Sequence, residues 1–141
     1  MPDCRFCSIV AGETAAEIVF EDEVSLAFLD IRPVFHGHTL LIPREHFETL
    51  GDLPDELIEP YFRNARMLSL AVRDAMGAQG SFVAINNVVS QSVPHLHTHV
   101  VPRVKKDGLR GFFWPRTKYE ADEHAAETGA KVRAAVAALA A

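Results

Sequence analysis

Hydrophobic and polar positions along this chain follow two periods. Strict alternation marks Pro94-His95-Leu96-His97-Thr98-His99-Val100-Val101-Pro102. A period of two predicts a β-strand, with successive side chains on opposite faces. His95, His97 and His99 then share one face, while Leu96, Thr98 and Val100 share the other, which suits a core. Shorter apolar runs predict strands over residues 18–20, 24–29, 38–42 and 81–85, the first two joined as a hairpin through Glu21-Asp22-Glu23. The helical period runs over residues 54–76, where Leu57, Tyr61, Ala65, Leu68, Val72 and Ala75 form one stripe. Pro54 suits the first turn, and Asp55, Glu56 and Glu59 place negative charge near the positive end of the helix dipole. Pro60 is a point for a kink, and Gly77 is a C-terminal stop.

The remaining segments are less periodic. Residues 6–10 read as a short helical or irregular piece, 44–50 as containing a helical turn, and 86–93 as a polar loop. The alanine-rich stretch 120–141 reads as a C-terminal helix, with Gly129 weakening its middle. Strands, one long helix and strands again define an α+β chain with about five strands in a mostly antiparallel sheet. At 141 residues it is expected to be a single domain over 1–141, long enough to bury a core without disulfide staples.

Composition narrows the function classes. Hydrophobic content of 48% and charged content of 23% are globular values. No apolar run reaches the ~20 residues that a membrane-spanning helix needs, and Met1-Pro2-Asp3-Cys4 lacks the basic-then-apolar pattern of a secretory signal. The expectation is a cytoplasmic protein with no membrane partner. A net charge of −5 argues against general nucleic-acid binding. It leaves room for one small anion at a local site. Arg103, Lys105, Lys106 and Arg110 cluster after the histidine strand and could serve one, although a solvated loop explains them equally well.

Neighbouring histidines in the strand stand about 6.6 Å apart and the outer pair about 13 Å apart. A zinc–nitrogen bond is roughly 2.1 Å, so one ion cannot reach both ends and a single three-histidine centre is excluded. The three rings must divide the labour. Cys4 and Cys7, the only cysteines, form a C-x-x-C with no preceding strand, which reads as half a zinc site whose other ligands come from elsewhere, histidines being available.

His95-Leu96-His97-Thr98-His99-Val100-Val101 resembles the signature of the histidine triad (HIT) family, with Thr98 the one departure in an apolar slot. The resemblance extends to residues 4–13, Ala27-Phe28-Leu29-Asp30-Ile31, Gly37-His38-Thr39-Leu40-Leu41-Ile42-Pro43 and Gln91-Ser92-Val93-Pro94. It covers roughly residues 4–103, with 104–141 as a C-terminal extension, and points to the Hint-like bacterial branch. It implies a HIT-like fold and cleavage at the α-phosphate of a nucleoside phosphoramidate, dinucleoside polyphosphate or adenylyl sulfate. The substrate is then a purine nucleotide containing AMP.

By the same resemblance, His97 is the nucleophile and forms a covalent nucleotidyl-histidine, as a neutral imidazole can near pH 7. His99, Ser92 and the Val93 amide face the phosphate, and His38 and His95 complete the catalytic set. Asp30 binds ribose, while Phe6, Ile9 and Phe28 surround the base. Asn86 or Asn87, with Gln91, belongs to the phosphate loop, which is about two residues short and carries Ser90 where glycine is common. Cys4, Cys7, His46 and His95 match the ligands of a structural zinc, and the chemistry itself needs no metal. His36 and His124 match nothing and read as surface residues.

Homodimerisation is also implied, with Phe112, Phe113 and Trp114 at the subunit interface. Hexose-1-phosphate uridylyltransferases carry glutamine at the third triad position, so His99 favours hydrolysis. Two other readings compete: a nucleotide-binding sensor or scaffold with little turnover, and a small zinc module that exposes those aromatics to a protein partner.

Overall fold

A computed structural model of the chain describes residues 3–109 and 116–140. Arg110 and the aromatic triplet Phe112, Phe113 and Trp114 lie outside the described residues. The chain forms two compact units, Met1–Asp107 and Gly108–Ala141. The second contains α3 (Asp122–Ala140), none of whose described residues is buried. His124 and, in the first unit, His36 are exposed. Among the described residues no helix is long and apolar enough to cross a membrane.

The first unit is built on five strands: β1 (Ile18–Glu21), β2 (Ser25–Leu29), β3 (Thr39–Pro43), β4 (Gly80–Ile85) and β5 (Thr98–Arg103). Their order across the sheet is β1-β2-β3-β5-β4, every pair antiparallel. The central strands are buried on both faces, so Leu40, Leu41 and Ile42 run as three consecutive apolar residues. Ala27, Leu41, Leu96 and Val100 face α2 (Asp55–Ala75) and pack on Tyr61, Ala65, Leu68 and Val72. Leu26, Phe28, Leu40 and Ile42 face the other way and pack on Phe6 and Ile9 of α1 (Arg5–Val10). Period-two alternation in β2 and β3 thus assigns one face to each helix.

The expected elements are all present, with four local differences. The histidine segment joins the sheet only at Thr98. Ahead of it the His97 ring takes the His95 carbonyl at 2.8 Å, and the Leu96 amide donates to Phe47 O outside the strand ladder. The alternation of burial still holds, with Leu96 and Thr98 in the core. The helical turn expected within 44–50 forms later, as a 3-10 turn at Leu50–Asp52, where the Asp52 carboxylate accepts from the Thr49 amide and hydroxyl. Ala75, the last residue of the predicted stripe, is exposed in the final turn. Helix α2 continues unbroken through Pro60.

Two polar clusters position α2. Asp22 in the β1–β2 turn accepts from the Val24 and Ser25 amides and from Asn64 Nδ2 on the helix. Burial pushes the Asp22 carboxyl up, but these donors outweigh it and hold it below its ordinary value. The Tyr61 hydroxyl donates to Leu41 O at 2.8 Å and lies 2.7 Å from Thr98 Oγ1, which must therefore donate in return. That bond accounts for a threonine in the apolar slot of the triad. Gly37 enters β3 at φ +97°, a backbone conformation that favours glycine, and an added Cβ would also have to displace the Met76 side chain, whose Cγ would lie 2.5 Å away.

Candidate active site

The face of the sheet covered by α1 carries a cleft of about 460 Å³. Leu40 pairs with His99 across β3 and β5, and cross-strand partners share a face. His99 therefore stands on the α1 side, and both His97 and His99 line the cleft. Phe6 and Ile9 come from α1, Phe28 and Asp30 from β2 and its end, and Ser92 and Val93 from the loop before the triad. Phe6 holds the group together through edge contacts with Phe28 at 5.3 Å and with His97 at 5.1 Å between centroids.

Hydrogen-bond partners assign the ring protons. His97 Nδ1 lies 2.8 Å from His95 O, a pure acceptor, so Nδ1 carries hydrogen and the neutral ring keeps its lone pair on Nε2. The Val34 amide donates to His38 Nδ1 at 3.0 Å, so the His38 hydrogen sits on Nε2. That nitrogen is 3.0 Å from His99 Nδ1, which accepts, and the hydrogen of neutral His99 is thereby placed on Nε2. Burial, with His97 and His38 adding to it, pushes His99 down to about 4, against the pull of Asp30. Burial likewise lowers His38, again opposed by Asp30, whose Oδ2 is 3.6 Å from His38 Nε2. With both rings neutral, the cleft thus presents a lone pair on His97 beside an N–H donor on His99. Ring centroids stand 5.0 Å apart.

Cys4, Cys7, His46 and His95 converge on one point, with all four ligand atoms within 4.8 Å of one another. His95 Nδ1 is 3.4 Å from Cys4 Sγ and 3.6 Å from Cys7 Sγ, and His46 Nδ1 is 3.3 Å from Cys7 Sγ. A tetrahedral zinc with bonds of roughly 2.1 and 2.3 Å has nitrogen–sulfur edges of about 3.6 Å. The His95 tautomer also suits a ligand: Nε2 gives its hydrogen to Pro43 O at 2.9 Å, leaving Nδ1 free to ligate. Burial pushes the Cys7 thiol up, reinforced by Cys4, and a cation reverses that preference. Asp30, His38 and His99 also converge within 4.8 Å. There the His38 lone pair is spent on the Val34 amide, so Nε2 has none to give a metal.

The cleft and the cysteine–histidine cluster divide the residues singled out from the sequence. His95 belongs to the cluster and does not line the cleft, and His38 stands behind His99. Asn86, Asn87 and Gln91 do not line the cleft either. Asn87 Oδ1 accepts from the Leu50 amide, while Gln91 accepts from the Val88 amide and donates to Glu48 O, so the short loop is braced to residues 48–50. Its tightness shows in the backbone. Val88 (φ 67°) is the centre of a three-residue turn closed by the Val89 amide on Asn87 O, and Ser90 has φ 64° where a glycine would be unstrained.

Arg103, Lys105 and Lys106 do not line the cleft, and Arg103, at the end of β5, pairs with Asp107 at 2.6 Å. The cleft instead draws on Arg5, Ala15, Ala16, Ile31 and Arg32, which the sequence reading did not single out. Arg5 was legible from its one-turn spacing to Ile9, and Arg32 from its place beside Asp30.

An antiparallel five-stranded sheet with a histidine pair in a cleft on one face and an α-helix on the other defines a mixed α+β domain. The HIT domain matches residues 11–106, and the chain belongs to the HIT family. It is 38% identical over 137 residues to Protein hit of Bacillus subtilis, covering 96% of this chain and 92% of that one. It is 37% identical over 116 residues to the adenosine 5'-monophosphoramidase hnt1 of Schizosaccharomyces pombe, covering 79% and 83%. With the adenylylsulfatase HINT3 of Arabidopsis thaliana it shares 34% over 109 residues, covering 76% of this chain and 55% of the plant protein. Among solved structures, a HIT family member from Bacillus subtilis superposes with a TM-score of 0.84 at 36% identity, covering 93% and 95%. A zinc-bound histidine triad protein from Mycobacterium smegmatis superposes with a TM-score of 0.73 at 38% identity, covering 98% and 96%.

Proposed function

We propose that this protein is a nucleotide hydrolase or nucleotidyl transferase that cleaves at the α-phosphate of a nucleoside phosphoramidate or dinucleoside polyphosphate. The observation that carries the reading is the His97 ring, with Nδ1–H held by a backbone carbonyl and the Nε2 lone pair left in the cleft. Nε2 attacks phosphorus, the bond to the leaving group breaks, and that group departs with the electron pair and takes up a proton. Water then attacks the phosphorus of the nucleotidyl-histidine, and the pair in the P–N bond returns to His97. The His99 Nε2–H, the Ser92 hydroxyl and the Val93 amide stabilise the negative charge that gathers on the phosphate oxygens. Asp30 accepts from ribose hydroxyls, and Phe6, Ile9 and Phe28 enclose the base. His38 is a positioning residue that fixes the tautomer of His99.

Cys4, Cys7, His46 and His95 hold a structural zinc in this reading, tying α1 and the base wall to the triad. The step at phosphorus uses no metal. The protein works as a cytoplasmic homodimer on purine nucleotides. Its relatives include proteins named as an adenosine 5'-monophosphoramidase and an adenylylsulfatase, which supports AMP-containing substrates.

Intact mass spectrometry after an acid-free quench tests the mechanism. With adenosine phosphoramidate, and separately with diadenosine polyphosphate, the wild type is expected to gain one AMP transiently. His97→Ala should gain none and lose turnover by several orders of magnitude. A wild type with tight nucleotide binding, no adduct and no turnover is instead a sensor or scaffold.

A further inference from the structure

Residues 46–50 are tied at successive points to the chain that leads into the triad. His46 Nδ1 stands 3.3 Å from Cys7 Sγ, and Phe47 O accepts from the Leu96 amide at 2.6 Å. Glu48 O accepts from Gln91 Nε2 at 2.6 Å, and the Leu50 amide donates to Asn87 Oδ1 at 2.8 Å. Asp52 holds this segment in turn, accepting from the Thr49 amide and hydroxyl. Ser92 and Val93 lie between two of the ties, with the Gln91 side chain before them and the Leu96 amide after them. Both line the cleft beside His97. Among the described residues, no hydrogen bond within the protein uses the Ser92 hydroxyl or the Val93 amide. Two donors are therefore unspent in this wall.

Gln91 uses both ends of its carboxamide. Oε1 accepts from the Val88 amide at 2.9 Å, while Nε2 donates to Glu48 O. One partner can only donate and the other only accept, so the orientation of the carboxamide is fixed. Val88 has φ 67°, which a β-branched residue disfavours. Such a conformation persists only where its surroundings impose it, and here the bonds of Gln91 and Asn87 do so.

We propose that Gln91 is a positioning residue for the step at phosphorus: by stitching the strained loop to Glu48 it sets the Ser92 hydroxyl and the Val93 amide against one non-bridging oxygen of the α-phosphate. This role deepens the hydrolase reading of the cleft and rests on it. Gln91 itself does not line the cleft and acts through its two neighbours. Donors fixed before charge develops need no reorganisation, and a displacement of about 1 Å costs up to ~100-fold in rate.

The test uses the full zinc-loaded protein with adenosine 5'-phosphoramidate and with the two diastereomers that carry sulfur in place of one non-bridging oxygen. Sulfur accepts hydrogen bonds weakly, so the wild type should favour the diastereomer that leaves oxygen at the Ser92 and Val93 donors. Gln91→Met keeps a side chain of similar length and loses both bonds. It is expected to lower kcat by roughly tenfold to a hundredfold with KM nearly unchanged, and to bring the diastereomer ratio in kcat/KM toward one. Gln91→Glu still accepts from Val88 but has no hydrogen for Glu48 O, and should behave alike. Partial unfolding would lower kcat and leave the ratio as it was, so that result overturns the role. A wild-type ratio near one, wild-type kcat in both variants, or a rise in KM alone overturns it too. If the wild type turns over no phosphoramidate, calorimetric binding of AMP and adenosine decides separately. Gln91→Met that weakens AMP and spares adenosine keeps the phosphate-positioning role while the hydrolase reading falls. Equal effects on the two ligands, or none, overturn the role, and a wild type that binds neither sinks both.

Discussion

Single hydrogen atoms decide what the cleft can do. One backbone amide, that of Val34, sets the tautomer of His38, His38 sets that of His99, and the His95 carbonyl sets that of His97. None of these partners could be read from the sequence, where the histidines are identical letters at even spacing. Two-fold spacing did place His97 and His99 on one face, because that follows from strand geometry alone.

Burial makes the arrangement depend on pH. His99 is pushed down to about 4, and His38 is lowered too. In the unfolded chain both take up protons near 6.5. Between those values the unfolded state binds more protons than the native state, so their contribution is fully present above about pH 6.5. It is lost as pH falls and levels off below about pH 4. Urea unfolding of the wild type from pH 7.5 down to pH 4.5 should show falling stability, and a His99→Gln variant should show a shallower fall. An equally steep fall in that variant would remove His99 as a source.

At the scale of elements, a single bond network explains why the helix, the central strand and the triad strand keep one register. Tyr61 of α2 donates to Leu41 O in β3 and receives Thr98 of β5, and burial pushes the phenol up, with Thr98 partly opposing it. Tyr61→Phe leaves a buried hydroxyl and a carbonyl short of partners and is expected to cost about 1–3 kcal/mol in urea unfolding. Thr98→Val in that background should cost little more, since its hydroxyl has by then lost its acceptor. The long helix and all five strands were legible because burial imposes a period on sequence. The start of β5 and the 3-10 turn at Leu50–Asp52 were not, because side-chain hydrogen bonds decide them. The loop between β4 and the triad was legible as short, but not as braced. Its side chains were expected at the ligand, whereas Asn87 and Gln91 turn to residues 48–50.

For the whole molecule, a net charge of −5 coexists with a cleft that carries two arginines without carboxylate partners among the described residues. Bulk charge excluded broad anionic surfaces and said nothing about this site. The order of elements in the first unit was readable, whereas its limit at Asp107 follows from how the chain packs. The cysteine–histidine cluster brings together Cys4 and His95, 91 residues apart, with Cys7 and His46 between them in sequence. Its four ligands cannot meet until β3 and the triad segment are aligned. Ordering in time follows from this distance along the chain. If the cluster closes after the rate-limiting step, zinc acts on the completed structure and not on the route to it. In stopped-flow experiments, saturating zinc is then expected to slow unfolding by tenfold or more, on the order of 1.4 kcal/mol, and to leave the refolding rate nearly unchanged. Cys4→Ser should abolish the difference. Faster refolding with zinc would mean that the two ends of this long loop find each other first.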